Sequence, residues 1–471
     1  KGCKFAALTL SHYLAHNHLP SPEQLLSPGC LMSFVSMALT LAATAILLFS
    51  SAVSAINPIV VKGNAFFDSK TNQRFYIRGL DYQLGGSSLA TTYDPLADSA
   101  GCDRDVAAFK SLGINTIRVY SILNNGDHSH CMNLLADAGI YLILDVNTPL
   151  ISINRANPAS SYNAVLLQNI FATIDAFSSY DNVLGFFAGN EVVNDVATVE
   201  AAPYVKAVVR DMKAYIAKQS KRTIPVGYSA ASVAENRGPL AFYLNAGEDD
   251  TRIDFYGLNS YEWCGASSYT ISGYDQFATL FQGLTIPLFF SEYGCNKPAP
   301  RTFTEVEAIY STQMTSFLSG GLVYEYSQEA NSYGLVQIST DKKSVSYLTD
   351  FNNLKAEFAK TPNPSGDGGY NASITANNYP SNTTNFEVTT IIPPMPEAAK
   401  IYLQKGAGTP LGNTGPSNQG YATDVPSAGS GSKVSTASGS TTSSNKKGAA
   451  GRVMVTIPSI FIVLGVMAIV I

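Results

Sequence analysis

Charge is scarce in this sequence. Charged residues make up 14% of its 471 residues, and the formal net charge is −5. No basic patch stands out, so the sequence gives no indication of a nucleic-acid partner. Aromatic residues are plentiful by contrast, with 26 tyrosines and 23 phenylalanines but a single tryptophan. Such residues suit stacking on sugar rings and suit an ordinary core equally well.

Cysteine and histidine are also few, and no Cys-x-x-Cys spacing occurs. We therefore predict neither a metal site nor a cofactor. Two cysteines lie in the first 31 residues, which we expect to be absent from the mature protein. The remaining even set predicts two disulfides in an oxidising compartment, with three possible connectivities. These four cysteines are Cys102, Cys131, Cys264 and Cys295.

Two histidines remain in the expected mature chain, His128 and His130. They share a polar stretch, and we expect them to form a solvated surface pair. A Ser-His-Asp triad would have to use one of them, so this sequence disfavours that mechanism.

An apolar segment followed by small residues occupies positions 32–55. Val53 and Ala55 stand at the −3 and −1 positions of an expected signal-peptide cleavage site. Translation would then begin at Met32, and residues 1–31 would be upstream gene-model sequence. The alternative is an internal signal anchor.

The C-terminal residues 453–471 are uncharged and follow a Ser/Gly/Thr-rich stretch. This order predicts a GPI-attachment propeptide over 446–471, which would place the protein on the extracellular face of the plasma membrane. The apolar segment 453–471 is also long enough to be a tail-anchored transmembrane helix. The candidate attachment residues are Ser443, Ser444 and Asn445.

Apolar runs alternate with helical patterns over residues 56–361, which predicts an α/β fold, a (β/α)8 TIM barrel. A doubly wound sheet is disfavoured because no Gly-rich phosphate turn follows the first strand. The predicted helices are Asp103–Leu112, Cys131–Ala138, Ala202–Ser220 and Thr304–Leu318. The predicted strands are Phe75–Tyr82, Ile114–Tyr120, Tyr141–Val146, Val183–Gly189, Thr223–Tyr228, Phe255–Ser260, Ile286–Ser291 and Gly321–Tyr326.

The alternation ends after residue 361. Residues 362–445 are predicted to be an irregular region followed by a disordered, glycosylated Ser/Gly/Thr-rich stalk. The part up to about residue 410 could instead end the globular domain or lie along it. Two N-glycosylation sequons fall here, at Asn371 and Asn382.

Two glutamates each follow an apolar run, Glu191 after the fourth predicted strand and Glu292 after the seventh. Parallel barrel strands bring their carboxyl ends to one mouth, where barrel enzymes hold their catalytic groups. Two carboxyls separated by about 5–5.5 Å are the arrangement of a retaining glycosidase. Asn190, beside Glu191, could bond a sugar 2-hydroxyl. The alternative for either glutamate is a solvated loop carboxylate.

Further polar residues stand at the other strand ends and in one nearby loop. A tyrosine beside a nucleophilic carboxylate can lower its pKa by hydrogen bonding, and it can also be a half-buried structural aromatic. These residues are Asp81, Tyr82, Gln83, Tyr120, Asp145, Asn259, Tyr261, Tyr324, Glu325, Tyr326 and Tyr333.

Four segments closely resemble glycoside hydrolase family 72, the fungal β-1,3-glucanosyltransferases: 187–194, 261–265, 289–296 and 321–327. Residues 76–83 fit as well, and the resemblance spans about 56–361. It implies a (β/α)8 barrel with Glu191 as acid/base and Glu292 as nucleophile. The substrate-binding residues that it implies are Gln83, Tyr120, Asp145, Asn190, Tyr261, Tyr324 and Tyr333.

The resemblance further implies pairing of Cys102 with Cys131 and of Cys264 with Cys295. Some family members carry a cysteine-rich glucan-binding module, but no cysteine follows Cys295 in this sequence. The expected partners are β-1,3-glucan donor and acceptor chains and a GPI lipid, for a monomer without cofactor at the cell wall. A β-1,3-glucan hydrolase and a non-catalytic wall or adhesion protein are the alternatives.

Overall fold

The computed structural model describes residues 56–374 and 378–419, and these ranges contain thirteen strands. In chain order the strands are β1 (Ile59–Lys62), β2 (Ala65–Asp68), β3 (Arg74–Phe75), β4 (Ile77–Asp81), β5 (Thr116–Val119), β6 (Tyr141–Asp145), β7 (Val183–Asn190), β8 (Val226–Ala231), β9 (Phe255–Ser260), β10 (Leu288–Tyr293), β11 (Leu318–Val323), β12 (Val336–Ile338) and β13 (Val345–Tyr347).

Strands β4 to β11 form a closed barrel in which all neighbours are parallel, and β11 pairs with β4 to complete the ring. The predicted (β/α)8 barrel is confirmed. Glu191 directly follows the fourth barrel strand and Glu292 lies near the end of the seventh. The continuously apolar runs are buried on both faces because helices cover the outside of the barrel.

Helices connect successive barrel strands and form its outer layer. In chain order the α-helices are α1 (Gly86–Leu89), α2 (Ser99–Leu112), α3 (Ser129–Asp137), α4 (Pro158–Ser161), α5 (Ala164–Phe177), α6 (Ala202–Gln219), α7 (Arg237–Asn245), α8 (Tyr274–Leu280), α9 (Glu305–Ile309), α10 (Thr349–Lys360) and α11 (Lys400–Lys405).

Three element predictions need correction. Strand β8 begins at Val226 and not at Thr223, because Pro225 has no N–H to donate to the ladder. The predicted helix Thr304–Leu318 contains only the short α9, and turns follow it. Hydroxyl side chains there bond local carbonyls and compete with helix formation, as when Ser311 Oγ donates to Ala308 O at 2.8 Å. The eighth barrel strand begins three residues earlier than predicted. A Cβ on Gly320 would lie 2.0 Å from Ile77 O, so glycine is needed where β11 meets β4.

The antiparallel sheet of β1, β2 and β3 packs against residues from inside the barrel. Phe66 of β2 is fully buried, and its ring centroid lies 5.9 Å from that of Phe255 and 6.1 Å from that of Phe289. With Phe187, these rings form one buried cluster. This sheet was absent from the sequence-based prediction because its strands are short.

Phe66→Ala should lower the free energy of unfolding by about 3–5 kcal/mol, because it leaves a cavity among rigid aromatic rings. Chemical denaturation monitored by circular dichroism measures this change. Ile271→Ala is the matched control, since Ile271 is 77% exposed and its truncation should cost less than about 0.5 kcal/mol. Equal effects of the two substitutions would contradict this packing role.

Residues 378–419 are mostly irregular, yet they pack along the outer helices. Gln168 on α5 donates to Ala407 O at 3.1 Å, and Tyr215 on α6 accepts from Ala407 N at 2.8 Å. Arg210 on α6 donates to Pro393 O at 2.8 Å. Up to residue 419 this region therefore lies along the barrel. The predicted stalk beyond it, the signal peptide and the GPI-attachment residues lie outside the described residues.

The structure joins Cys102 to Cys131 and Cys264 to Cys295, which is the connectivity that the resemblance implies. The first disulfide links α2 to α3. The second links the loop after β9 to the loop after β10. Both sequon asparagines are exposed at the surface.

The expectation of a solvated histidine pair is wrong for His128. This side chain is buried, and its Nε2 lies 2.8 Å from Asp94 Oδ2. The ring also packs against Phe177, so an aromatic neighbour and a buried carboxylate hold it in the core. His130 is partnered with Asp103 at the surface.

Within the described part of the chain, no helix has the length and apolar character needed to cross a membrane. The same ranges hold no group of three or more histidine, cysteine or acidic side chains suited to binding a metal ion.

Candidate active site

Arg118 is the buried cation at the centre of the site. It lies on β5, is fully inaccessible, and donates from Nε and Nη2 to the two oxygens of Asp145, each at 2.9 Å. Its Nη1 lies 3.3 Å from Glu292 Oε1. The guanidinium also stacks over Phe187, whose ring belongs to the barrel core. A bidentate pair of this kind fixes the direction of the remaining donors toward Glu292.

Glu292 receives two further donors. Tyr120 Oη donates to Oε1 at 2.8 Å, and Tyr261 Oη donates to Oε2 at 2.8 Å. Burial raises the pKa of Glu292 to about 7, whereas Arg118 and the two tyrosine hydroxyls oppose that rise. Each donor favours the ionised carboxylate, so the site stabilises a buried negative charge on Glu292.

Tyr261→Phe should move the acidic limb of the kcat/KM profile to higher pH. The nucleophile role that the resemblance implies for Glu292 requires an ionised carboxylate. Removing a donor to a carboxylate raises its pKa, by about one pH unit for a bond of this class. The pH dependence of kcat/KM reports groups of the free enzyme. Tyr243→Phe is the control, because its hydroxyl bonds Thr389 O away from the cleft. An unmoved acidic limb in Tyr261→Phe would contradict the assignment.

Asn259 connects the second glutamate to this centre. On β9 it is the ladder partner of Glu292, and its Nδ2 donates to Glu191 Oε1 at 2.8 Å. Its Oδ1 accepts from Ser229 Oγ and Ser291 Oγ at 3.2 and 2.8 Å, which fixes the amide orientation. A Cβ on Gly257 would lie 2.6 Å from Ser291 Oγ, so glycine makes room for this network.

Glu191 has a left-handed backbone, with φ at +48°. Its N–H donates to Ser229 O at 2.8 Å, which holds this turn at the end of β7. A left-handed conformation costs a non-glycine residue about 1–2 kcal/mol, and such residues cluster at functional sites.

The nine residues to which the resemblance gives a catalytic or substrate-binding role all line one cleft of about 610 Å³ at the carboxyl ends of the strands, whereas Asp81, Tyr82, Asn259 and Tyr326 do not line it. The cleft therefore brings together residues from seven of the eight barrel strands or the loops that follow them, with β8 as the exception. The residues are Gln83, Tyr120, Asp145, Asn190, Glu191, Tyr261, Glu292, Tyr324 and Tyr333.

Tyrosine rings form one side of this cleft. Tyr324 contacts Tyr120, Tyr261 and Tyr333 edge to face, with centroid separations of 6.5, 6.4 and 5.3 Å. Glu325 lies beside them and accepts from Asn331 Nδ2 at 2.7 Å, and burial raises the pKa of Glu325 to about 7. Such a surface offers flat faces and hydroxyl groups to a carbohydrate.

Sequence reasoning missed Arg118 and the orienting role of Asn259. The sequence does indicate Arg118, because a charged residue inside the apolar run Thr116–Val119 needs a buried partner of opposite charge. Asn259 was noted only as a polar residue at a strand end. Its role depends on Ser229 and Ser291 from adjacent strands, so no local pattern reveals it.

The geometry provides two carboxyls with different surroundings. Glu292 is buried under Arg118, Tyr120 and Tyr261, whereas Glu191 is half-buried and bonded by one amide. The first arrangement suits a nucleophile, and the second suits a group that gives and takes a proton.

Comparison with known proteins identifies the family. A family model for Glucanosyltransferase, glycoside hydrolase family 72, matches residues 48–362. The chain belongs to this family. It is 58% identical to 1,3-beta-glucanosyltransferase gas4 of Schizosaccharomyces pombe, over 79% of this chain and 82% of the relative. It is 55% identical to 1,3-beta-glucanosyltransferase gel1 of Aspergillus fumigatus, over 81% of this chain and 84% of that relative.

Solved structures of the same family share the fold. One is Saccharomyces cerevisiae Gas2p in complex with laminaripentaose, which is 42% identical to this chain with a TM-score of 0.69. The match covers 74% of this chain and 79% of Gas2p. A Gas2p mutant in complex with laminaritetraose and laminaripentaose is also 42% identical, with a TM-score of 0.68. That match covers 74% of this chain and 77% of the mutant chain.

Proposed function

We propose that this protein is a retaining 1,3-β-glucanosyltransferase. It cleaves an internal β-1,3-glucan linkage and transfers the new reducing end to the non-reducing end of another β-1,3-glucan. The observation that carries the proposal is the pair of glutamates in one cleft, with Glu292 held by three donors. Membership of family 72 and the names of the relatives support the substrate and the reaction.

In the first step, a Glu292 carboxylate oxygen attacks the anomeric carbon and forms a glycosyl ester. The bond from that carbon to the bridging oxygen breaks, and Glu191 gives its proton to the leaving oxygen. Arg118, Tyr120 and Tyr261 keep Glu292 ionised and aim its oxygens before attack. The leaving fragment departs with a free hydroxyl at its non-reducing end.

In the second step, the 3-hydroxyl of an acceptor glucan attacks the same carbon. Glu191, now ionised, takes the hydroxyl proton, and the ester bond to Glu292 breaks. One glycosidic bond is lost and one is formed, so the number of linkages is unchanged. Each step inverts the anomeric centre, and the two inversions give net retention.

The remaining cleft residues are proposed to bind the glucan. Asn190 would bond a sugar 2-hydroxyl, a contact that strengthens in the transition state. Tyr324 and Tyr333 would supply faces for pyranose rings. Gln83 and Asp145 would also bind the glucan, with their side chains oriented by hydrogen bonds to Ser121 and Arg118.

A transfer assay on the full chain tests this function. A borohydride-reduced laminarin oligosaccharide is incubated with the enzyme, and the products are resolved by chain length. The proposal predicts products longer than the donor, formed together with shorter ones. Only shorter products would indicate a hydrolase that uses water as acceptor, and no turnover with no binding would indicate a non-catalytic wall protein.

The expected location is the extracellular face of the plasma membrane and the cell wall. Its supports are the apolar segment 32–55, the C-terminal residues 453–471 and two disulfides. Ser443, Ser444 and Asn445 remain the candidate GPI-attachment residues, and Asn371 and Asn382 the candidate glycosylation sites. Release from membranes by a phosphatidylinositol-specific phospholipase would support the anchor, and resistance to it would contradict it.

A further inference from the structure

We infer that Asn418 is a positioning residue that holds one wall of the glucan cleft, an inference that rests on the proposed function. The wall is residues 147–155, between β6 and α4, and we call it the cleft wall. It contains no helix and only an isolated bridge between Thr148 and Ile151. It nevertheless lines the cleft with Asn147, Ser152 and Arg155 among others.

Asn418 binds the cleft wall through both ends of its amide. It is 0% exposed, although it lies far from the barrel in sequence. Its Oδ1 accepts from Ser152 N at 3.1 Å, and its Nδ2 donates to Ser152 O at 2.8 Å. The same Nδ2 donates to Ser161 O at 2.7 Å. One side chain thus gives Ser152 the two bonds that a neighbouring strand would provide.

The residues on either side reinforce this contact. Ser417 Oγ donates to Leu150 O and Gln419 Nε2 donates to Ser152 O, each at 2.7 Å. Farther back, Gly412 N donates to the side chain of Asn124 at 2.9 Å. The segment 417–419 therefore bonds the middle of the cleft wall, at Leu150 and Ser152, while Ser152 itself and other wall residues line the cleft.

Arg155 shows why the position of the wall matters. Among the described residues that line the cleft, it is the single lysine or arginine. Glu191 lines the same cleft. A displaced wall would move the guanidinium donors of Arg155 relative to Glu191 and to a glucan bound in the cleft.

The test compares Asn418→Asp with Asn182→Asp in the full chain. Asn182 is also buried and donates to two backbone carbonyls, Met132 O at 3.0 Å and Ile140 O at 3.3 Å, but it precedes β7 at the opposite end of the barrel. Each substitution replaces an amide donor by an oxygen that faces carbonyl oxygens. Thermal unfolding and kinetics on a laminarin oligosaccharide are measured for both.

Asn418→Asp should raise KM about five-fold or more while kcat stays within about two-fold, because ground-state and transition-state binding are lost together. Asn182→Asp should lower the melting temperature with KM unchanged. An unchanged KM in folded Asn418→Asp, or the same rise in both variants, would overturn the inference. A wild-type chain that neither binds nor extends laminarin would refute the proposed function instead.

A second measurement does not depend on whether the Asn418→Asp chain folds. Hydrogen exchange is followed in the Glu292→Gln chain with and without laminaripentaose. Coupling between the cleft wall and its support predicts slower exchange in 147–155 and 417–419 together. Slower exchange confined to 147–155 would overturn the positioning role of Asn418.

Discussion

Glu292→Gln should lower the rate of glucan transfer by at least about 10³-fold, because the variant has no oxygen able to form the glycosyl ester. The substitution keeps the shape and most of the contacts of the side chain. Tyr120 and Tyr261 can still donate to the amide oxygen or rearrange around it. Binding of a laminarin oligosaccharide, measured by calorimetry, should therefore persist while turnover is lost.

Glu305→Gln is the matched control for this experiment. Glu305 is also a buried glutamate whose pKa is raised by burial to about 7, but it begins α9 and does not line the cleft. Its replacement should leave turnover near the wild-type value. Substantial transfer by Glu292→Gln, or an equal loss in Glu305→Gln, would contradict the assignment of the nucleophile.

Glu191→Ala should lower the rate on natural glucan by about 10²–10⁴-fold, the usual contribution of a positioned general acid. An activated donor with a dinitrophenyl leaving group needs no proton for the first step, so its glycosyl-enzyme should still form. Azide should then restore turnover, since it is an acceptor that needs no general base. The product should be a β-glycosyl azide, because attack on the ester inverts the centre a second time.

Glu200→Ala provides the control for Glu191. Glu200 lies in the turn of 3₁₀ helix that follows, is exposed, and does not line the cleft. It should show neither a rate loss nor an azide effect. An α-glycosyl azide from Glu191→Ala, or no difference between natural and activated donors, would contradict the acid/base role.

The barrel strands could be predicted from sequence because burial on both faces produces continuous apolar runs. All eight were found, and three of them, β6, β7 and β9, start at the predicted residue, whereas the other five start two or three residues away from it. The sheet that contributes Phe66 was missed because its strands have two to four residues. A run that short has no period to recognise, and its place under the barrel depends on the rings of Phe255 and Phe289.

The polar residues of the site likewise divide into those that the sequence predicts and those that it does not. Glu191 and Glu292 could be predicted because each follows an apolar run, which places both carboxyls at one mouth. The charge of Arg118 inside an apolar strand indicates a buried partner, but its partners Asp145 and Glu292 lie on other strands, so the sequence does not identify them. Asn418 could not be predicted either, since its partner Ser152 lies 266 residues away and no local pattern joins them.

Trapping the covalent intermediate identifies the nucleophile. The wild-type chain is treated with a β-1,3-glucosyl oligosaccharide donor that carries fluorine at C2 and a good leaving group, which slows release of the ester more than its formation. Protease digestion and mass spectrometry then locate the label. We expect a glycosyl ester on Glu292, in the peptide that contains 288–293. A label on another residue, or turnover with inversion and no covalent species, would contradict it.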